Sequence, residues 1–261
     1  MALMDINGVS LEVERIEGTG RTGRAPVVFL HEGLGSVSQW TSREGDWPLA
    51  VCQACERDGV VYSRRGYGRS DPIPDVRGAN RLPPDYMHQE AWSVLPALLQ
   101  TLGIQHPVLL GHSDGGTISL LHASQHPVSA CVVMAPHVMV EPISIQAISA
   151  AREAYLNGPL RERLARHHDD VDSAFWQWND VWLSPAFQSF DIREDCRRIQ
   201  SPILAIQGRE DPYGTLQQIE DIRPDHGRIE RCVLDHCGHA PQRDQTQACT
   251  DRIASFLAVC P

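Results

Sequence analysis

The sequence predicts an α/β protein, a doubly wound and mostly parallel sheet carrying an inserted helical cap. Three observations predict it. Short apolar runs recur at 26–30, 60–62, 108–110, 130–134 and 202–206, each with the length and purity of a strand buried on both faces. Stretches with helical spacing separate them through short connections, as parallel crossovers require. Residues 138–195 then break the alternation with a long helical stretch and a crowd of aromatic side chains. The 261 residues suffice for one large core, which the cap divides into a first part, 1–137, and a second, 196–261.

Composition narrows the functional classes. A formal charge of −10 argues against nucleic acid or an anionic membrane surface as partner. No uninterrupted apolar stretch approaches the roughly 20 residues of a membrane span. The first 17 residues carry Asp5, Glu12 and Glu14 and lack a basic-then-apolar leader, so a cytoplasmic protein is expected. Cys52-x-x-Cys55 has metal or redox spacing, but no second pair completes a site, and it falls in the helical pattern 48–57. All eight cysteines are therefore expected as reduced thiols, with no metal or organic cofactor.

In chain order, 9–16 alternates as an edge or half-exposed strand, and 18–23 is a turn-rich link. The buried strand 26–30 runs into the loop His31-Glu32-Gly33-Leu34-Gly35-Ser36, whose glycines let backbone N–H groups approach whatever lies above the sheet. A helix is expected over 40–57, a strand at 60–62, and after a proline-rich loop a second helix over 86–102, stopped by Gly103. The strand 108–110 leads to Gly111-His112-Ser113-Asp114-Gly115, which fits G-x-S-x-G, and then to a helix reaching 125. A serine on so sharp a strand-to-helix turn is exposed above the sheet edge, facing the unpaired N–H groups of the helix. Beyond the strand 130–134 the cap begins at His137, with a helix over 143–166. The strand 202–206 restores the sheet and ends at Asp211; the last, 230–234, leads to Cys237-Gly238-His239, and a helix over 242–259 closes the chain.

Three strand ends thus offer Ser113, Asp211 and His239, and side chains at the carboxyl ends of such a sheet meet on one rim. A serine hydroxyl needs an imidazole to take its proton, and the imidazole needs a carboxylate to fix its tautomer. In these pieces, from 27 to 257, the sequence resembles the α/β-hydrolase family of esterase and lipase type: F-L-H-E-G-L-G-S at 29–36, Y-S-R-R-G-Y-G-R-S at 62–70, G-H-S-D-G-G at 111–116, I-L-A-I-Q-G-R-E-D at 203–211 and C-G-H at 237–239. The resemblance implies Ser113 as nucleophile, Asp211 as acid and His239 as general base. Its patterns select Asp211 over Glu210 and His239 over His236. His112, pointing away from its neighbour at the turn, is expected to be structural, and Asp235 to cap a loop.

The oxyanion hole is expected from the N–H of Asp114 and a second donor at Gly33. Here the sequence departs from the family, because Glu32 stands where a glycine is usual. Either Glu32 takes an unfavourable φ or the loop shifts and Leu34 donates, and its carboxylate must turn away or pair with a cation such as Arg65. A serine at the elbow sets aside the family's aspartate-based dehalogenases and epoxide hydrolases. The expectation is cleavage of a small or medium apolar or aromatic carboxylic ester through an acyl-enzyme, with His137, Trp176 and Trp182 contacting the substrate. His137 has an equal structural reading as a hinge-packing residue. The alternatives are a C–C bond hydrolase acting on a vinylogous diketone from ring cleavage, an amide or lactone hydrolase, and a non-catalytic ligand binder. Activity is expected to fall on the acid side as His239 charges. The partner is a small-molecule substrate, with a homodimer left open.

Overall fold

The computed structural model describes residues 1–18, 23–42 and 45–260, so most of the expected link at 18–23 lies outside the described residues. The strands are β1 (Ala2–Ile6), β2 (Val9–Ile16), β3 (Val27–Leu30), the short pair β4 (Thr41–Ser42) and β5 (Gly45–Asp46), β6 (Gly59–Ser63), β7 (Val108–His112), β8 (Ala130–Met134), β9 (Ile203–Gly208) and β10 (Ile229–Leu234). Eight of them form one sheet in the order β1-β2-β6-β3-β7-β8-β9-β10. β1, β2 and β6 pair antiparallel and the rest parallel. β2 is therefore not an edge: β1 covers it, and Leu11 and Val13 are buried.

Alternate residues of the central strands feed two cores. Val28, Leu30, Leu109 and Val133 face one side with Leu98, Ile118 and Phe175; Val27, Phe29, Leu110 and Val132 face the other with Val51, Ile253 and Phe256. This two-sided burial is what the continuous apolar runs encode.

Helices differ from expectation where caps and prolines intervene. The first, α1 (Trp47–Cys55), starts later than residue 40 because Asp46 caps it, accepting from the Leu49 amide, while 41–42 and 45–46 are strands β4 and β5. Burial pushes the Cys52 thiol up to about 12 and that of Cys55 to about 11, which suits packing residues. The expected helix 86–102 is α2 (Tyr86–Gln89), a π turn (Glu90–Val94) and α3 (Leu95–Leu102). Pro96 has no N–H for the helical ladder, and the widened turn precedes it. Gly103 ends α3 at φ 69°, a left-handed cap.

The helix α4 (Asp114–Ala123) is buried along its whole length. A Cβ on Gly115 would come within 2.1 Å of the Leu30 carbonyl, so glycine is what lets this helix lie against β3. Between β8 and β9 come α5 (Pro142–Asn157), α6 (Leu160–Leu164), α7 (Val171–Trp182), a 3-10 turn (Pro185–Ser189) and α8 (Arg193–Arg197). The expected single helix over 143–166 is broken at Gly158-Pro159. After β9 follow α9 (Gln217–Glu220), α10 (Pro241–Asp244) and α11 (Thr246–Leu257), the last two replacing the one helix expected over 242–259. Among the described residues no helix is long and apolar enough to cross a membrane.

Candidate active site

Ser113 sits between β7 and α4 at φ 53° and ψ −119°, a conformation that L side chains rarely adopt. Its N–H donates to the Met134 carbonyl at 2.8 Å, pinning the turn to the neighbouring strand. A Cβ on Gly111 would meet the Gly115 carbonyl at 2.1 Å, so the glycines flanking the serine make this turn sterically feasible. Strain of this kind persists only where packing over-determines the backbone.

The three predicted groups are together. His239 Nε2 lies 3.0 Å from Ser113 Oγ, and its Nδ1 lies 2.8 and 2.9 Å from the two oxygens of Asp211. Asp211 also accepts from the Tyr213 amide at 2.8 Å and from Gln207 Nε2 at 2.7 Å. Burial opposes its charge, yet the hydrogen bonds from His239 and the Tyr213 amide hold its carboxyl below the usual range. Ser113 is 6% exposed. A hydroxyl, an imidazole and a fixed carboxylate in this line can move a proton from oxygen to nitrogen.

Asp114, first residue of α4, has an N–H with no intrahelical acceptor available. Its carboxylate is buried, accepts from Tyr86 Oη at 2.5 Å and lies 4.0 Å from Arg64. Burial raises this carboxyl against the pull of Arg64. Arg64 also donates to the carbonyls of His31 and Glu32 at 3.0 Å each, fixing the loop that carries Gly33. Burial holds His31 well below its ordinary value, so the ring is neutral; it accepts the Arg64 N–H at Nε2 and donates from Nδ1 to the Glu32 carbonyl. Gly33 is required for close approach, since a Cβ there would fall 2.3 Å from the Trp178 indole nitrogen.

Glu32 is not among the residues with positive φ, so the expected backbone strain is absent. Nor is Arg65 its partner. The carboxylate faces His112, with Oε2 2.7 Å from Nδ1.

A cavity of about 220 Å³ opens over Ser113, bounded by Gly33, Leu34, Ile148, Trp178, Trp182 and Tyr213, with Glu32, His137 and Arg243 also on its wall. His137 packs its ring 4.9 Å from Trp182 and 5.7 Å from His239. Burial, reinforced by His239, pushes it down to about 3, and its Nδ1 has no hydrogen-bond partner among the described residues. Trp176 does not reach this cavity. Its ring lies under the Arg77 guanidinium at 3.7 Å and against Tyr155 at 5.6 Å. The reason is helical geometry: on α7, Trp178 and Trp182 are four residues apart and share a face, and Trp176 points elsewhere. That spacing was the available signal for Trp178. A larger hollow of about 480 Å³ lies near β1, α2 and Arg81 but is not lined by Ser113 or His239.

These features define a class of protein before any comparison: an eight-stranded sheet with a serine elbow on its central strand. The family model for the alpha/beta hydrolase family matches residues 27–252, and the chain belongs to that family. Among curated relatives, the putative carbamate hydrolase RutD of Pseudomonas savastanoi pv. phaseolicola is 28% identical over 239 residues, 83% of this chain and 87% of that protein. The bifunctional esterase/perhydrolase DCH of Acinetobacter calcoaceticus is 22% identical over 221 residues, covering 72% and 75%. Among solved structures, the enol-lactonase from Burkholderia xenovorans superposes with a TM-score of 0.70 at 19% identity over 98% of this chain and 99% of that one. The protein is a hydrolase of this fold.

Proposed function

We propose that the protein cleaves small or medium apolar or aromatic carboxylic esters through an acyl-enzyme on Ser113. His239 takes the hydroxyl proton as Ser113 Oγ adds to the carbonyl carbon, then delivers it to the departing alcohol. Water, deprotonated by the same imidazole, releases the acid and restores the serine. Asp211 keeps the proton of His239 on Nδ1, so that Nε2 is free to act as base. The N–H of Asp114 and an amide of the Gly33–Leu34 turn stabilise the oxyanion, each donor lost costing roughly 3–4 kcal/mol. The observation that carries this reading is the unbroken line from Asp211 through His239 to Ser113 at 2.8 and 3.0 Å, opening on an aromatic cavity. The helices between β8 and β9 act as its cap: Ile148, Trp178 and Trp182 supply the apolar wall, and about 220 Å³ suits an acyl group of modest size.

A second reading, hydrolysis of a small carbamate, is supported by the relatives named putative carbamate hydrolase. It uses the same nucleophile and expels an alcohol in the same way, but leaves a carbamoyl rather than an acyl group on Ser113. The test compares p-nitrophenyl acetate and butyrate with a small carbamate and a ring-fission diketone, alongside fluorophosphonate labelling. Ester turnover with label on Ser113, both lost in Ser113→Ala, is the expected result. Preference for the carbamate or the diketone overturns the ester assignment, and no turnover with no label overturns the acyl-enzyme reading on Ser113.

A further inference from the structure

Glu32 borders the same cavity as Ser113, where a bare carboxylate would oppose the negative charge that acyl transfer develops. Its surroundings explain how it is accommodated. Glu32 Oε2 lies 2.7 Å from His112 Nδ1, and Nε2 of the same ring lies 2.6 Å from the backbone oxygen of His239. Neither partner supplies a proton: a carbonyl has none, and a carboxyl, the stronger acid of the two, gives its proton to an imidazole that it faces. Burial alone would raise that carboxyl; beside a charged His112, and with Arg243 near, it is lowered far below the ordinary range. A neutral imidazole has one N–H, so it would set a nitrogen lone pair against one of these oxygens. Only a ring carrying both protons satisfies both contacts.

Gln242 agrees with this protonation. Its amide nitrogen is 3.1 Å from His112 Nδ1, and its Oε1 is buried with no hydrogen-bond partner among the described residues. Turning the amide so that the oxygen faces the ring gives Nδ1–H a second acceptor and removes the orphan. The other charged or titratable groups nearby are His31, Arg243, His167, His168 and Tyr213 around Glu32, and His137 and His239 beside His112, the last with ring centroids 5.2 Å apart. His31 and His137 are held neutral by burial.

The geometry points to an ionic clamp: a doubly protonated His112 neutralises Glu32 and ties the loop of Gly33 to the backbone of His239. Two parts of the site that must stay in register, the oxyanion loop and the base, are thereby fastened through one ring on the nucleophile's own strand. Glu32 and His112 are positioning residues, and this role rests on the hydrolase reading given above.

The clamp is tested first without kinetics. In the full-length protein with ¹⁵N-labelled histidine at pH 7.5, one ring shows both nitrogens protonated, disappears in His112→Gln, and turns into a neutral tautomer in Glu32→Gln. A neutral His112 in the unsubstituted protein overturns the clamp. Kinetics then separate charge from shape. His112→Gln strands the Glu32 carboxylate beside the oxyanion and loses about 100-fold in kcat on p-nitrophenyl acetate, with KM within about threefold. Glu32→Gln/His112→Gln, neutral again, recovers to within about tenfold of the parent. A double variant no faster than His112→Gln, or a His112→Gln variant at parental kcat, overturns the proposal. Should His112→Gln not fold, the nitrogen signature in the parent and Glu32→Gln decides. Failure of the hydrolase reading is distinct: the parent then neither turns over ester nor labels at Ser113, whatever the state of His112.

Discussion

Asp211 accepts hydrogen bonds from His239, Tyr213 and Gln207, and those from His239 and Tyr213 help to outweigh the cost of its burial. Because its folded carboxyl is lowered, it adds stability above the ordinary carboxylate range and loses it as pH falls through the lowered value. The catalytic role proposed for it is separable from that. Asp211→Asn keeps the shape but favours the wrong tautomer of His239, so kcat for p-nitrophenyl acetate is expected to fall about 10⁴-fold with KM little changed. A loss under tenfold would show that Asp211 does not orient the base. Ser113, Asp211 and His239 were legible in the sequence because each follows a recognisable strand, and strand ends meet on one rim. The partner of Glu32 was not legible. His112 lies 80 residues away, and only the parallel pairing of β3 with β7 brings the two loops together.

The helix α7 carries two functions on two faces. Trp178 and Trp182 look into the cavity above Ser113, whereas Trp176 stacks under Arg77, which pairs with Asp180 at 2.8 Å. Trp178→Ala is expected to raise KM for p-nitrophenyl butyrate several-fold. Trp176→Ala is expected to leave KM unchanged and lower unfolding stability by about 3 kcal/mol. Chemical denaturation and steady-state rates on both variants check this, and an equal KM effect at the two positions would contradict the faces described. At this scale the sequence resolves what the backbone makes periodic. Buried parallel strands read as apolar runs, but β1 is a short, half-exposed ribbon with Leu3 turned out to solvent, and no pattern marked it. The π turn before Pro96 and the break at Gln245 shift helix boundaries through local geometry that a 3.6-residue period does not encode.

Across the whole molecule the buried histidines set the limit on acid tolerance. His122 in α4 and His168 between α6 and α7 are each pushed down to about 4, and His137 after β8 to about 3, in every case chiefly by burial. His31 after β3 is lowered as well. In the unfolded chain these rings titrate near 6.5, so between that value and the folded one the unfolded state binds more protons. Stability therefore rises with pH across this window and is lost as pH falls below about 6.5. Each of His122, His137 and His168 contributes a loss on the order of 3 kcal/mol by pH 4. Three such losses are comparable with the whole unfolding free energy of an ordinary domain. The lowered carboxyls of Glu32 and Asp211 act in the same direction at still lower pH. The protein is accordingly expected to unfold cooperatively between pH 6 and 4, and urea midpoints measured at half-unit steps from pH 7.5 to 4 would trace the loss. Histidine variants locate its source: His122→Gln, far from Ser113, is expected to flatten part of the curve without changing kcat at pH 7.5. A urea midpoint that holds steady from pH 7 to 4 would mean that these rings take up protons in the folded state, against the burial that surrounds them.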